Sequence, residues 1–165
     1  MEDNVLTKLS AEDHDPVICG DGRQSDIAAA LQRGVSRWLR ALGYAVVTEL
    51  VLANGRRADV VGLSPSGEIW IVEIKSCLAD YQSDGKWTEY CDYCDRLSFA
   101  VDANFPHHVI PLEAGLFVAD RFGAELMREP PFERVSPAAR KLMTFAFARA
   151  AALCLQRTLD PFCGE

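Results

Sequence analysis

The sequence predicts a single α/β domain in which a mixed sheet lies between helices. Three observations support this. A chain of 165 residues is long enough to bury one real core and too short for two ordinary domains. An apolar fraction of 49% with 25% charged residues marks a globular protein rather than a disordered one. The hydrophobic pattern runs in the order αβββαβ(β)α, without repeats or low-complexity segments.

Residues 1–22 are polar and unpatterned and read as a mobile arm ahead of a domain over 23–158, with a short tail over 159–165. The first helix has Ser25 as a cap, Ile27, Leu31, Val35, Trp38 and Leu42 at helical spacing, and Gly43 as a left-handed stop. Residues 44–52 and 57–63 read as two antiparallel strands about an Asn54-Gly55 turn, and 68–75 as a third. Residues 86–94 read as a helix with Trp87, Tyr90 and Cys94 on one side. Short buried strands follow at 97–101 and 116–118, with 122–128 as an edge strand. Ser136-Pro137 then caps and opens a helix running to about residue 156.

A net charge of −7 and a pI near 5.0 count against a protein that coats nucleic acid, since phosphate affinity comes largely from Lys and Arg. A local basic patch remains compatible with them, and Arg56-Arg57 is the candidate. With no signal-peptide pattern and no apolar run of membrane length, the sequence predicts a cytoplasmic protein with reduced thiols and no membrane partner. Cys91 and Cys94 form a lone C-x-x-C without a second pair at zinc spacing, and so read as structural.

The chemistry concentrates at the end of the third strand. Alternation puts Ile69, Ile71, Glu73 and Lys75 on one face and Trp70, Val72 and Ile74 on the other. Such a strand is central, so Glu73 and Lys75 sit where water is scarce and need partners. Asp59 on the preceding strand converges on them if its face matches. Two acids and a lysine suit metal-assisted phosphodiester hydrolysis: Mg²⁺ or Mn²⁺ is held by carboxylates and water, and lysine orients the water or stabilises developing charge. Accessory candidates are Glu49, Gln82 and Lys86. A two-residue Asn54-Gly55 turn places Leu50 rather than Glu49 opposite Asp59, and only a bulge would reverse that. Asp80 and Asp84 are candidates to widen the metal site but read more readily as caps, Asp92 and Asp95 share that ambiguity, and Arg96 reads as a partner of Asp92 or Asp95. Trp87 and Tyr90 read as core, and His107 and His108 as surface residues.

The segment Arg57-Ala58-Asp59, thirteen intervening residues, then Glu73-Ile74-Lys75 resembles the core motif of the PD-(D/E)XK nuclease superfamily, with Ala58 at the motif's proline position. More narrowly, residues 54–59, 69–75 and the run from Lys86-Trp87 to Asp95-Arg96 resemble the MmcB-like family of DNA repair proteins. The resemblance implies a restriction-endonuclease-like fold. It also implies a Mg²⁺- or Mn²⁺-dependent nuclease with Asp59 and Glu73 on the metal and Lys75 beside the water. DNA is the implied partner, contacted by Arg56 and Arg57, with another repair protein as a further candidate partner. The alternative is a catalytically silent nuclease fold that binds DNA or a repair partner.

Overall fold

The computed structural model describes residues 26–83 and 85–161 of the chain. The expected arm at 1–22, the Ser25 cap, Asp84 and the last residues of the tail lie outside the described residues. Helix α1 (Asp26–Ala41) leads into strands β1 (Ala45–Val51), β2 (Arg57–Leu63) and β3 (Ile69–Ile74). A short helix α2 (Leu78–Ser83) and a 3₁₀ turn (Trp87–Tyr93) precede β4 (Arg96–Val101). Strands β5 (Gly115–Ala119) and β6 (Ala124–Arg128) and the long helix α3 (Pro137–Leu159) complete the domain. The six strands form one mixed sheet in sequential order, antiparallel except for the parallel pairs β3–β4 and β4–β5.

Each face of the sheet carries a helix because β3 is apolar on both sides and buried along its whole length. Leu31, Val35 and Leu39 of α1 pack on Val60, Trp70, Val72 and Phe117. Met143, Phe147 and Ala150 of α3 pack on Val47, Val61, Ile69 and Ile71. The expected face assignment of β3 holds in these two cores. The expected α1 stripe is too long, however: Ile27 and Leu42 at its ends stay exposed, and Leu39 is buried. Gly34 sits in the buried face because a Cβ there would lie 2.0 Å from the carbonyl oxygen of Asp120. The backbone of α1 thus packs against the β5–β6 turn with no room for a side chain at this position.

The helix expected over 86–94 is a 3₁₀ turn instead, preceded by α2. Trp87, Tyr90 and Tyr93 recur at spacing three, the period at which 3₁₀ side chains eclipse, and all three pack against the α3-side core. Ser136 caps α3 as expected, its hydroxyl accepting from the Ala139 amide at 3.2 Å.

The β1–β2 hairpin departs from the two-residue turn. The Leu52 amide donates to Arg56 O at 2.7 Å and the Gly55 amide to Leu52 O at 2.9 Å, so the loop is Ala53-Asn54-Gly55 with Gly55 at φ 81. A three-residue loop ending in a left-handed glycine shifts the pairing by one residue. Thr48 pairs with Val60 and Leu50 with Ala58, which sets Glu49, not Leu50, across from Asp59. No helix among the described residues is long and apolar enough to cross a membrane.

Candidate active site

The site forms where β2 and β3 stop pairing. Their ladder runs from Leu63↔Ile69 to Val60↔Val72 and ends there. Beyond that point side chains replace the ladder. The Asp59 amide donates to Glu73 Oε1 at 3.2 Å, and the Ile74 amide donates to Asp59 Oδ2 at 2.7 Å. Each carboxylate thus satisfies a main-chain donor of the other strand, which would otherwise be orphaned. The reciprocal clasp fixes both acids side by side on a rigid backbone.

The same level of the sheet carries a reversal of faces. Val47 and Val61 belong to the α3-side core, and so do Leu50 and Ala58, which strict alternation would send to the other face. The switch occurs at the Glu49/Asp59 pair, where Glu49 takes φ 58, the left-handed region that costs a non-glycine residue roughly 1–3 kcal/mol. This local break turns polar side chains toward the strand ends while apolar ones still reach the core.

Burial then sets the electrostatics. Glu73 is 2% exposed and Lys75 5%, while Asp59 is half-buried. Desolvation pushes the Asp59 carboxyl up to about 6, with the Ile74 amide opposing, the Glu49 charge adding to the rise, and Lys75 and Arg57 countering it. Glu73 is raised well above the ordinary range by burial and then by the charge of Asp59. Lys75, the Asp59 amide and a hydrogen bond from Tyr90 offset part of this. Lys75 therefore lies close enough to act on both acids, yet it and Arg57 together leave both carboxyls raised. Hard oxygen donors short of positive charge suit a small divalent cation that keeps much of its own water. Among the described residues no group of three His, Cys, Asp or Glu side chains encloses a metal, so water and substrate would complete such a shell.

Glu49 is brought to the same place. Its carboxylate, almost fully buried, accepts from Gln32 Nε2 at 3.1 Å through Oε1 and meets Arg57 Nε at 2.6 Å through Oε2. Gln32 also donates to Asp59 O at 3.2 Å. Gln32 was missed from sequence: it lies one residue beyond Leu31, at the margin of the α1 stripe, where an amide reads as ordinary solvated surface. Tyr90, expected in the core, is there, and its hydroxyl also donates to Arg57 O at 3.3 Å.

Other candidates fall elsewhere. Arg56 lies over the Tyr90 ring at 5.5 Å, its Nε 2.6 Å from Glu89, so its guanidinium ties the hairpin to the 3₁₀ turn. Gln82 and Lys86 are both exposed. Asp80 accepts from the Ser76 amide at 3.2 Å, the capping role expected for it. Arg96 pairs with Glu68 at 2.8 Å and Glu129, not with Asp92 or Asp95. Asp95 instead receives Arg140 and the amides of Ile69 and Val135. His107 opens a 3₁₀ turn (His107–Val109) and turns its Nε2 inward, correcting its placement at the surface. His108 is exposed as expected, Cys91 is exposed and Cys94 buried.

A mixed α/β domain that offers two clasped carboxylates and a buried lysine at the open end of its central strands is the class that fold and site define. The chain belongs to the MmcB-like family, described as DNA repair protein MmcB-like, whose model matches residues 15–161. It is also similar to the solved structure of a protein of unknown function from Silicibacter pomeroyi. That likeness has a TM-score of 0.83 and 45% identity, over 86% of this chain and 97% of the other. No curated protein matches the chain.

Proposed function

We propose that the chain is a Mg²⁺- or Mn²⁺-dependent deoxyribonuclease of the PD-(D/E)XK type that acts in DNA repair. The observation that carries this reading is the reciprocal clasp of Asp59 and Glu73 beside Lys75 at the splayed end of β2 and β3. Membership of a family of DNA repair proteins supports DNA as the substrate.

In this reading Asp59 and Glu73 hold the cation. When bound, it polarises the scissile phosphodiester and lowers the pKa of an attacking water. Lys75 orients that water and stabilises the charge that develops on the phosphoryl oxygens, from a buried position where its charge is weakly screened. The main-chain amides of Asp59 and Ile74 keep both carboxylates in place, so little reorganisation is left for the reaction. Arg57, half-exposed beside the acids, offers a guanidinium to the DNA backbone. Arg56 lies next to it on the same hairpin.

Purified protein with Mn²⁺ should nick branched, single-stranded or damaged DNA, and Asp59→Ala should lose that activity while still folding. If Mn²⁺ binds and no DNA form is cut, or if the variant cuts equally well, the catalytic reading fails. The protein is then a silent nuclease fold serving a repair partner, a role its net charge of −7 would suit.

A further inference from the structure

Glu49 holds an unusual position for an acid that does nothing but fill space. It stands directly across from Asp59, in a strained left-handed conformation, with both carboxylate oxygens engaged: Oε1 by Gln32 and Oε2 by Arg57. The two partners differ in their surroundings. Gln32 belongs to α1 and also holds the Asp59 carbonyl, so it is part of the frame. Arg57 has half its side chain in solvent, while the Glu49 side chain is only 10% exposed. The exposed partner is the one a ligand from solution can take.

A guanidinium presents forked donors that match a phosphodiester as well as a carboxylate. Removing Arg57 from Glu49 would leave a buried carboxylate uncompensated beside Asp59, which is costly unless another cation replaces it. A divalent ion at Asp59 and Glu73 would be that replacement. From this arrangement we infer that Arg57 and Glu49 form a latch released by substrate: a phosphodiester that takes Arg57 frees Glu49 to join Asp59 in binding the cation. The inference rests on the metal-site reading given above and adds to it a regulation of that site. It makes occupancy by nucleic acid and by metal mutually reinforcing, and the coupling must be equal in both directions.

The test measures Mn²⁺ affinity from the resonance signal of the free ion, with and without a phosphorothioate-linked oligothymidine that resists hydrolysis. In the wild-type protein the oligonucleotide should tighten Mn²⁺ binding about tenfold, within the roughly 5–150-fold range of such couplings. Arg57→Gln should already bind Mn²⁺ with the tightened affinity when no oligonucleotide is present. Arg57→Lys, which keeps the charge, should retain the need for oligonucleotide and controls for folding. Deleting a nearby positive charge would also favour a cation, so the deciding comparison is Glu49→Gln against the Glu49→Gln/Arg57→Gln double variant. The latch requires that Arg57→Gln no longer tighten Mn²⁺ binding once Glu49 is neutral. If the gain persists in that background, or if oligonucleotide leaves wild-type affinity unchanged, the latch is overturned. Binding that is lost in Asp59→Ala yet indifferent to Arg57→Gln overturns the latch and leaves the metal site standing. Absence of Mn²⁺ binding in the wild type under both conditions overturns both.

Discussion

The two ends of β3 bury carboxylates and treat them in opposite ways. At the start of the strand, Asp95 accepts from the amides of Ile69 and Val135 and from the Arg140 guanidinium, which also reaches Gly67 O. Burial alone would raise its pKa, but Arg140 and the two amides hold it below the ordinary 3.8. At the far end, Asp59 and Glu73 each take a single amide of the opposite strand and are both raised. Both ends bear the desolvation of an acid, and only the first offsets it within the protein. Asp95 is a clamp that docks α3 onto the sheet. Asp59 and Glu73 are an arrangement left short of positive charge, which is where a function is to be sought.

The sharpest way to break the comparison is to remove the clamp. Asp95→Ala strands Arg140 and two buried amides, and should cost about 3–5 kcal/mol in urea unfolding. A loss under about 1 kcal/mol would mean that α3 docks without the ion pair. The corresponding change at the other end should act in the opposite direction. Asp59→Asn keeps an acceptor for the Ile74 amide and removes an ill-compensated charge, so in metal-free buffer its Tm should rise by about 2–4 °C. Mn²⁺ should raise the Tm of the wild type more than that of the variant.

Acidity separates the two ends further. Asp95 is depressed, so its stabilisation is complete above the ordinary 3.8 and is lost as the pH falls through its lower folded value. Asp59 is raised from 3.8 to about 6, so the folded protein holds the extra proton between those values and stability falls as the pH rises from about 4 to about 6. Urea midpoints across that window should decline in the wild type and decline less in Asp59→Asn. A midpoint that climbs steadily from pH 4 to 6 in both proteins would contradict the assignment. Tyr90→Phe should have the smallest effect, about 0.5–1.5 kcal/mol for the lost hydroxyl bonds, with Glu73 titrating still higher by NMR.

Much of the β3 end was legible because alternation with period two needs no tertiary information: Ile69 to Ile74 fall on the faces expected. The pairing across β1 and β2 was not, because Asn54-Gly55 is equally consistent with two-residue and three-residue loops, and only the hydrogen bonds of Leu52 distinguish them. The 3₁₀ turn is indistinguishable from a helix in sequence because Trp87, Tyr90 and Cys94 fit a spacing of three or four alike. Gln32 and Arg140 were invisible for a different reason. Their partners, Glu49 and Asp95, lie 17 and 45 residues away, and no local pattern encodes such meetings.

The left-handed Gly55 has a consequence for the register of the whole hairpin. A loop of Ala53-Asn54-Gly55 closes on Leu52 and Arg56 and sets an acid, Glu49, opposite Asp59. A two-residue Asn54-Gly55 turn, closing on Ala53 and Arg56, would set Leu50 there. The chemistry of the site is therefore written partly in the length of a turn that touches none of its atoms.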